Sequence, residues 1–248
     1  MKIEEKFNDI KFRGAKMKTV DRPTNLSPFL NHFGLSLIIG LPASGKSSLI
    51  KNLLMGTKQD NLYNKVYHSV YYISPSTTMG LGLPDEKYIK LDDKPLETIL
   101  QGIIDDEKEQ GEEDDPHRLL IVLDDAINFL KESKEAMNLY RKLVYNARHI
   151  LGDYSSVSVW IVWQKIRSIA LAIRSQANSI YFFDSTAKEK EVFLEEFLPL
   201  DKEDAQQLYD YVFNKPYTFI YVNLFLPKNQ RVFNKFSQLT LSNLKNKI

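Results

Sequence analysis

A glycine-rich segment after an apolar run constrains this chain more than any other feature of its sequence. Residues 40–47, GLPASGKS, match the pattern G-x-x-x-x-G-K-[ST] at each fixed position. Gly40 and Gly45 let the backbone turn tightly, so that successive N–H groups can point at phosphate oxygens. The helix expected from Lys46 adds the positive end of its dipole. The preceding run LSLIIG is typical of a buried strand, and this context predicts a phosphate-binding loop.

The same motif predicts chemical roles for the residues at its C-terminal end. We expect the Lys46 ammonium to reach the β- and γ-phosphates and the Ser47 hydroxyl to bind Mg²⁺, so that ATP and Mg²⁺ are the expected ligands. A glycine-containing turn before a helix, without a ligand, is the alternative. The predicted nucleotide-binding residues are Gly40, Leu41, Pro42, Ala43, Ser44, Gly45, Lys46, Ser47 and Ser48.

An acidic pair follows the apolar run LLIVL, which ends at Leu123. A buried strand that ends in Asp124 and Asp125 would deliver both carboxylates to the edge of the sheet where the phosphates lie. We expect Asp124 to hold Mg²⁺, directly or through water, and Asp125 to orient or deprotonate the attacking water. Two aspartates after an apolar run are also common at plain strand ends. The phosphate loop upstream favours the catalytic interpretation.

Three further residues are candidates for catalysis. Gln164 follows the apolar run VSVWIVW, and its amide would lie beside the phosphate loop if that strand is inserted between the loop strand and the Asp124 strand. Gln164 could then contact the γ-phosphate and water, or it could only begin a turn. Arg148 and Arg174 could each act as an arginine finger on a neighbouring subunit's nucleotide, which raises rates by about 10³- to 10⁵-fold. Each arginine could equally be a surface cation or contact DNA.

Composition excludes several classes of protein. With 248 residues, 43% of them apolar, the chain can bury a sizeable core, and it contains no cysteine. Disulfides and thiolate metal sites are therefore excluded. No apolar run has the length of a membrane span and the N-terminus has no apolar signal-peptide core, so we expect an intracellular protein without a membrane partner. The acidic run from Asp85 to Asp115, which ends in DDEKEQGEEDD (residues 105–115), is expected to be a solvated loop.

Short apolar runs alternate with amphipathic segments along most of the chain. This alternation predicts an α/β fold with a mostly parallel sheet that is covered by helices on both faces. The predicted strands are residues 35–40, 68–74, 119–123, 157–163, 179–183 and 217–224, and the predicted helices are 46–55, 96–106, 129–150, 187–197 and 203–213. We divide the chain into an N-terminal arm (1–33), a P-loop ATPase core (34–200) and a C-terminal extension (201–248) with a helix, a strand and a basic tail.

With these motifs together, the chain resembles the FtsK/HerA superfamily, specifically the poxvirus-type genome-packaging ATPases of large DNA viruses and virophages. The resemblance covers about residues 35–183 and rests on GLPASGKSS, LLIVLDD, NARH at 146–149, and WQ at 163–164 followed by IRSQANSIYFF. It implies a P-loop NTPase of the RecA-like (ASCE) type with strand order 5-1-4-3-2. An Asp-Asp pair occurs in the viral branch, a glutamine after the fourth strand matches Gln164, and a family arginine acts in trans, which Arg148 or Arg174 could supply.

The resemblance also implies partners. It implies a homo-oligomeric ring, often a hexamer, that translocates double-stranded DNA, with capsid proteins as further partners. By the same resemblance, the protein would work in the host cytoplasm or the virion.

Three functions compete for this set of motifs. The first is an ATP-driven motor that translocates double-stranded DNA into a viral capsid. The second is a P-loop kinase that acts on a small molecule or a polynucleotide, but the sequence has no arginine-rich lid, and Asp125 with Gln164 favours water as the acceptor. The third is a nucleotide-dependent assembly protein without turnover, which would not need Asp125. Turnover stimulated by DNA separates the three.

Overall fold

The strands of the described residues form one mixed sheet. The computed structural model describes residues 33–55, 66–75, 83, 85–91, 94–110, 117–152, 155–198 and 200–239. The strands are β1 (Gly34–Ile39), β2 (Ser69–Ser74), β3 (Tyr88–Lys90), β4 (Arg118–Asp124), β5 (Ser156–Trp163), β6 (Ala177–Phe183), β7 (Phe219–Asn223), β8 (Val232–Asn234) and β9 (Ser237–Gln238). They lie side by side in the order β3-β2-β4-β5-β1-β6-β7-β8-β9.

The predicted α/β class with a mostly parallel sheet is confirmed. The six adjacent strands β3-β2-β4-β5-β1-β6 are all parallel to one another. β7, β8 and β9 each pair antiparallel with the strand before them in the sheet. All six predicted strands are present: the last, 217–224, corresponds to β7, and the other five correspond to β1, β2, β4, β5 and β6, which adjoin as β2-β4-β5-β1-β6. The complete order differs from the five-strand order that the resemblance implies, because β3 extends one edge and β7 to β9 extend the other. β3, β8 and β9 have only two or three residues, too few to show a pattern of period two.

Helices cover the two faces of the sheet unequally. The described α-helices are α1 (Lys46–Met55), α2 (Leu96–Gln110), α3 (Ile127–Glu132), α4 (Lys134–Tyr145), α5 (Leu171–Arg174), α6 (Ala187–Phe197) and α7 (Lys202–Val212). Buried residues of α2 to α7 pack on one face, and among the described helices only α1 contributes buried residues to the other. Large aromatic side chains fill much of the α1 face, namely Tyr67, Tyr72, Trp160, Tyr181, Tyr221 and Phe233. None of the described helices is long and apolar enough to cross a membrane.

The single helix predicted over residues 129–150 is wrong, because the structure has two shorter helices there. Ser133 separates α3 from α4 with an extended backbone (φ −118°, ψ 121°), and its hydroxyl oxygen accepts a hydrogen bond from the Ala136 N–H. A serine in this role is an N-cap and starts a new helix. α4 ends at Tyr145, and residues 146–151 form turns. Because the helical spacing of apolar residues continues across both boundaries, periodicity alone could not reveal where the helices end.

The described end of the acidic run, residues 105–110, is helical and is not the solvated loop that its composition predicts. α2 continues to Gln110, and residues 111–116 lie outside the described part of the chain. Glu107, the third residue of the DDEKEQGEEDD segment, is 0% exposed. Its carboxylate accepts hydrogen bonds from the Tyr71 hydroxyl (2.7 Å) and the His117 ring, and Lys87 lies 3.6 Å away. Burial by itself would raise the pKa of Glu107, but hydrogen bonds from His117, Tyr71 and Ser69 lower it to about 2.

Glu107 is expected to make the stability of the fold depend on pH. Because the pKa of Glu107 falls from 4.5 to about 2 on folding, its contribution is complete above pH 4.5 and is lost as the pH falls from 4.5 through 2. Glu107→Gln should lower the free energy of unfolding by about 1–3 kcal/mol at pH 7. The difference from wild type should shrink at pH 3 in urea titrations. Glu109→Gln, at an exposed position of α2, is the control. A pH-independent difference would contradict this account.

Residues after 200 extend the same sheet, since β7 pairs with β6. The division of the chain into arm, core and extension stays a prediction. Apart from Phe33, the predicted arm lies outside the described residues.

Candidate functional site

The candidate site lies at the edge of the sheet where the parallel strands end. Gly40 follows β1, Asp124 ends β4 and Gln164 follows β5. β5 lies between β1 and β4, which is the arrangement that brings Gln164 next to the glycine-rich loop. Two backbone hydrogen bonds of 3.1 Å connect the three segments, from the Gly40 N–H to the Trp163 carbonyl and from the Asp125 N–H to the Val162 carbonyl. The edge is therefore held together before any ligand binds.

The loop between β1 and α1 has a conformation that glycine makes possible. Gly45 has φ 106°, in a region that other residues rarely adopt, and Ala43 has φ 59°. A Cβ atom at Gly40 would lie 2.6 Å from the Phe183 Cβ and 2.7 Å from the Ser44 Oγ, so a side chain has no room there. The two fixed glycines of the motif thus serve different needs. Gly45 supplies the turn, and Gly40 allows the loop to pack against the end of β6.

Lys46 bonds to the backbone of the loop and is influenced by the charges of the acidic pair. Its Nζ donates to the carbonyls of Gly40 and Leu41, both at 2.8 Å. Burial lowers the pKa of the Lys46 ammonium, while the carboxylates of Asp125 and Asp124 oppose this effect. The ammonium is therefore close enough to both carboxylates to interact with them. Lys46, Asp124 and Asp125, three of the five charged residues that the sequence analysis selected, thus lie near one another.

The two aspartates differ in their surroundings. Burial raises the pKa of Asp124; a hydrogen bond from the Tyr72 hydroxyl and the charge of Lys46 oppose this rise, whereas Asp125 adds to it. A neighbouring cation stabilises the charged form of a buried carboxylate such as that of Asp124. Asp125 has φ 52°, a left-handed conformation in which aspartate and asparagine are enriched. This turn directs the chain away from β4 immediately after Asp124.

Tyr72 is the residue of this site that the sequence analysis missed. It lies in β2, where it pairs with Val122 of the neighbouring β4, and its hydroxyl donates to the Asp124 Oδ2. Burial raises the pKa of the Tyr72 hydroxyl, so that it stays protonated and can donate. The sequence signal that could have identified Tyr72 is a polar side chain near the C-terminal end of the strand that neighbours the Asp124 strand. Using that signal required the strand order as well as the motif.

The donor set at this edge fits Mg²⁺. Ser47, in the first turn of α1, is exposed, and Asp124 is partly exposed. Mg²⁺ in nucleotide sites is usually bound by one or two protein oxygens together with phosphate oxygens and water. Among the described residues there is no group of three or more acidic or histidine side chains that would form a cage made of protein alone. The available oxygens therefore suit a cation that arrives with a phosphate ligand.

Neither candidate arginine lies at this edge of its own chain. Arg174 shortly precedes Ala177, which pairs with Leu35 at the start of β1, and so it lies near the opposite edge of the sheet. Its guanidinium makes two 2.6 Å hydrogen bonds to Glu196 and one to the Ile169 carbonyl. Arg148 follows Ala147, whose carbonyl accepts from the Val157 N–H near the start of β5. Arg148 is exposed and lies over the Phe33 ring at 5.5 Å.

The fold is that of P-loop NTPases. The genome packaging NTPase B204 from Sulfolobus turreted icosahedral virus 2, in complex with AMPPCP, is similar in structure with a TM-score of 0.58 at 15% identity, over 85% of this chain and 100% of B204. B204, the DNA-packaging ATPase from Sulfolobus turreted icosahedral virus, gives a TM-score of 0.56 at 14% identity, over 82% of this chain and 97% of that one.

The similarity extends to a secretion ATPase. The cytoplasmic domain of the Thermomonospora curvata type VII secretion ATPase EccC gives a TM-score of 0.52 at 12% identity, over 84% of this chain and 24% of EccC. No protein-family model and no curated protein matches the sequence. The fold expected from the motif resemblance is thus confirmed, since the chain shares its fold with a viral genome packaging NTPase and with a secretion ATPase.

Proposed function

We propose that this protein is an ATP-hydrolysing motor that translocates double-stranded DNA into a viral capsid. The observation that carries the proposal is that Lys46, Asp124 and Asp125 lie near one another at one edge of the sheet. β5, the strand that Gln164 follows, lies between β1 and β4. A protein that only binds nucleotide does not need a second carboxylate beside the first. The similarity to B204, a genome packaging NTPase, supports packaging as the work that hydrolysis drives.

Each residue has a part in the proposed reaction. The Lys46 ammonium stabilises negative charge on the γ-phosphoryl group, and the backbone N–H groups of the loop bind the phosphate oxygens. Asp125 accepts a proton from the attacking water, which the Gln164 amide orients. Ser47 and Asp124 would hold Mg²⁺. When bound, this ion neutralises charge on the β- and γ-phosphate oxygens.

In the proposed ring, Arg148 rather than Arg174 is the residue that reaches a neighbouring subunit's nucleotide. The Arg174 guanidinium is already engaged by Glu196 and the Ile169 carbonyl, whereas Arg148 is exposed with a ring as its contact. Arg148→Ala and Asp125→Asn subunits should each be inactive alone. Mixing them should restore part of the ATP hydrolysis, because some interfaces then combine an intact arginine with an intact aspartate. Absence of any recovery in assembled mixtures would count against Arg148.

The decisive experiment measures ATP hydrolysis by the purified protein with and without double-stranded DNA, with Lys46→Ala as the blank. Stimulation by DNA that is lost in the variant is the expected result for a translocase. Turnover indifferent to DNA, or transfer of phosphate to a small acceptor, would replace the motor with the kinase alternative. Binding of ATP without any turnover would leave the assembly-protein alternative.

Tyr72→Phe tests the role of Asp124 as a metal ligand. Loss of the hydroxyl frees the Asp124 carboxylate to rotate, and a hydrogen bond to a charged group contributes about 1.5–3 kcal/mol. We expect the Mg²⁺ concentration needed for tight ATP binding to rise about tenfold, as measured by calorimetry, with binding in EDTA unchanged. Tyr71→Phe is the matched control, because its hydroxyl contacts Glu107 instead. An equal Mg²⁺ requirement in the two variants would refute the assignment.

A further inference from the structure

The order of the strands determines how ATP would be oriented in the proposed site. Asp124 and Gln164 belong to the ends of β4 and β5, which lie on one side of β1 and its loop. β6 and β7 lie on the other side. The terminal phosphate must face the acidic pair if Asp125 is to act on the attacking water. The nucleoside end of the ligand then leaves the loop in the direction of β6 and β7.

A cleft opens at that place. It has a volume of about 310 Å³ and begins at Ser44 of the glycine-rich loop. Phe183 and Asp184, at the end of β6, form part of its lining, and the segment 213–218 between α7 and β7 forms the rest. Because β7 runs antiparallel to β6, the start of β7 lies beside the end of β6, and this brings the segment next to the phosphate loop. The cleft is therefore a continuation of the proposed phosphate site.

Tyr217 presents an aromatic ring at this cleft. It lines the cleft and is 74% exposed, although a tyrosine ring is more often largely covered. Its backbone has φ 55°, and the next residue, Thr218, closes the segment with a 3.0 Å hydrogen bond from its hydroxyl to the Lys215 carbonyl. The ring is thus held at the surface by a defined turn. An exposed ring of this kind offers a face on which a nucleobase can stack.

Asp184 supplies the carboxylate of the cleft, whose other polar lining residues are Ser44, Asn214, Lys215 and Thr218. Its Oδ1 accepts hydrogen bonds from the Tyr209 hydroxyl (2.5 Å) and the Ser185 N–H (2.9 Å), which fix the carboxylate. Its Oδ2 makes no hydrogen bond to any other residue that the structure describes. A carboxylate oxygen accepts hydrogen bonds from hydroxyl groups and repels phosphate. The free carboxylate oxygen of Asp184 therefore suits a ribose hydroxyl.

We propose that this cleft binds the nucleoside half of ATP, with the base stacked on Tyr217 and the ribose hydroxyls donating to Asp184. The inference rests on the proposed function, because it extends the same phosphate site. It assigns affinity for the nucleoside largely to residues after position 200, outside the segment that carries the P-loop and acidic-pair motifs. Discrimination between ATP and a bare polyphosphate thereby depends on the turn between α7 and β7.

The test compares the binding of MgATP with that of magnesium tripolyphosphate, which has the phosphates but no nucleoside. Tyr217→Ala should weaken ATP binding about tenfold, in line with the loss of one base–aromatic stack, and leave tripolyphosphate binding unchanged. Tyr217→Phe should keep wild-type affinity for both ligands. Tyr211→Ala removes another exposed tyrosine, on α7 and outside the cleft, and should change neither affinity.

A second variant tests the ribose contact independently. Asp184→Asn keeps the Oδ1 acceptor for Tyr209 and Ser185, so that the local structure is preserved. It should weaken ATP binding several-fold but leave 2′,3′-dideoxy-ATP binding unchanged. Equal losses for ATP and tripolyphosphate in Tyr217→Ala, or no loss in either cleft variant, would overturn the nucleoside site while the phosphate site stands. Failure of wild type to bind either ligand would overturn the proposed function itself.

Discussion

Replacement of Lys46 by alanine is expected to reduce the affinity for MgATP by at least about 10²-fold. Hydrogen bonds made by a charged group contribute about 1.5–3 kcal/mol each, and Lys46 can direct more than one to the phosphates. The variant also leaves Asp124 and Asp125 without the neighbouring cation, so that two carboxylates face an anionic ligand. The bonds that Lys46 makes to the Gly40 and Leu41 carbonyls disappear as well, which loosens the loop.

Calorimetric titration with MgATP measures this loss, and ATP hydrolysis should disappear with it. Lys51→Ala is the matched control, because Lys51 lies on the same helix at an exposed position. Thermal unfolding of both variants checks that the fold is retained. An affinity of Lys46→Ala within about threefold of wild type would contradict the assignment of the glycine-rich loop to phosphate binding, since the lost hydrogen bonds predict a much larger change.

Much of the fold could be predicted from the sequence, because its central strands are buried on both faces. Such strands read as continuous apolar runs, and β4 and β5 show this in LLIVL and VSVWIVW. Features that depend on one polar atom were not predictable in this way. Ser133 divides a helix through a single capping hydrogen bond, and Glu107 is buried within an acidic run because Tyr71 and His117 contact it. Periodicity and charge counts do not contain such information.

The candidate site likewise contains residues that the sequence predicts and residues that it does not. A short motif encodes the glycine-rich loop, since its residues are consecutive, and the structure places Lys46 near the acidic pair that a second short segment supplies. Tyr72 and Asp184 come from separate parts of the chain and meet the site only through the strand order. For the two arginines, the sequence offered candidates but no means to choose between them. Arg148 and Arg174 looked equivalent in the sequence, and only their contacts, a ring for one and Glu196 for the other, distinguish them.

Asp125→Asn is expected to bind MgATP with an affinity close to that of wild type but to lose nearly all hydrolysis. The amide of the variant cannot take a proton from water, and general base catalysis contributes about 10²- to 10⁴-fold. Asparagine is the appropriate replacement because position 125 has φ 52°, a conformation that asparagine tolerates and alanine does not favour. The Asp125 N–H bond to the Val162 carbonyl is a backbone bond and should persist.

Single-turnover hydrolysis under saturating MgATP separates chemistry from binding in this variant, with calorimetry to measure the affinity. Asp124→Asn is the informative partner, because it should raise the Mg²⁺ requirement, whereas Asp125→Asn should not. The two aspartates are adjacent in sequence, yet only Asp124 receives the Tyr72 hydrogen bond that orients a metal ligand. Retained turnover in Asp125→Asn would remove Asp125 as the base and leave Gln164 to position the water. Loss of ATP binding would instead place Asp125 in the ligand site rather than in the chemical step.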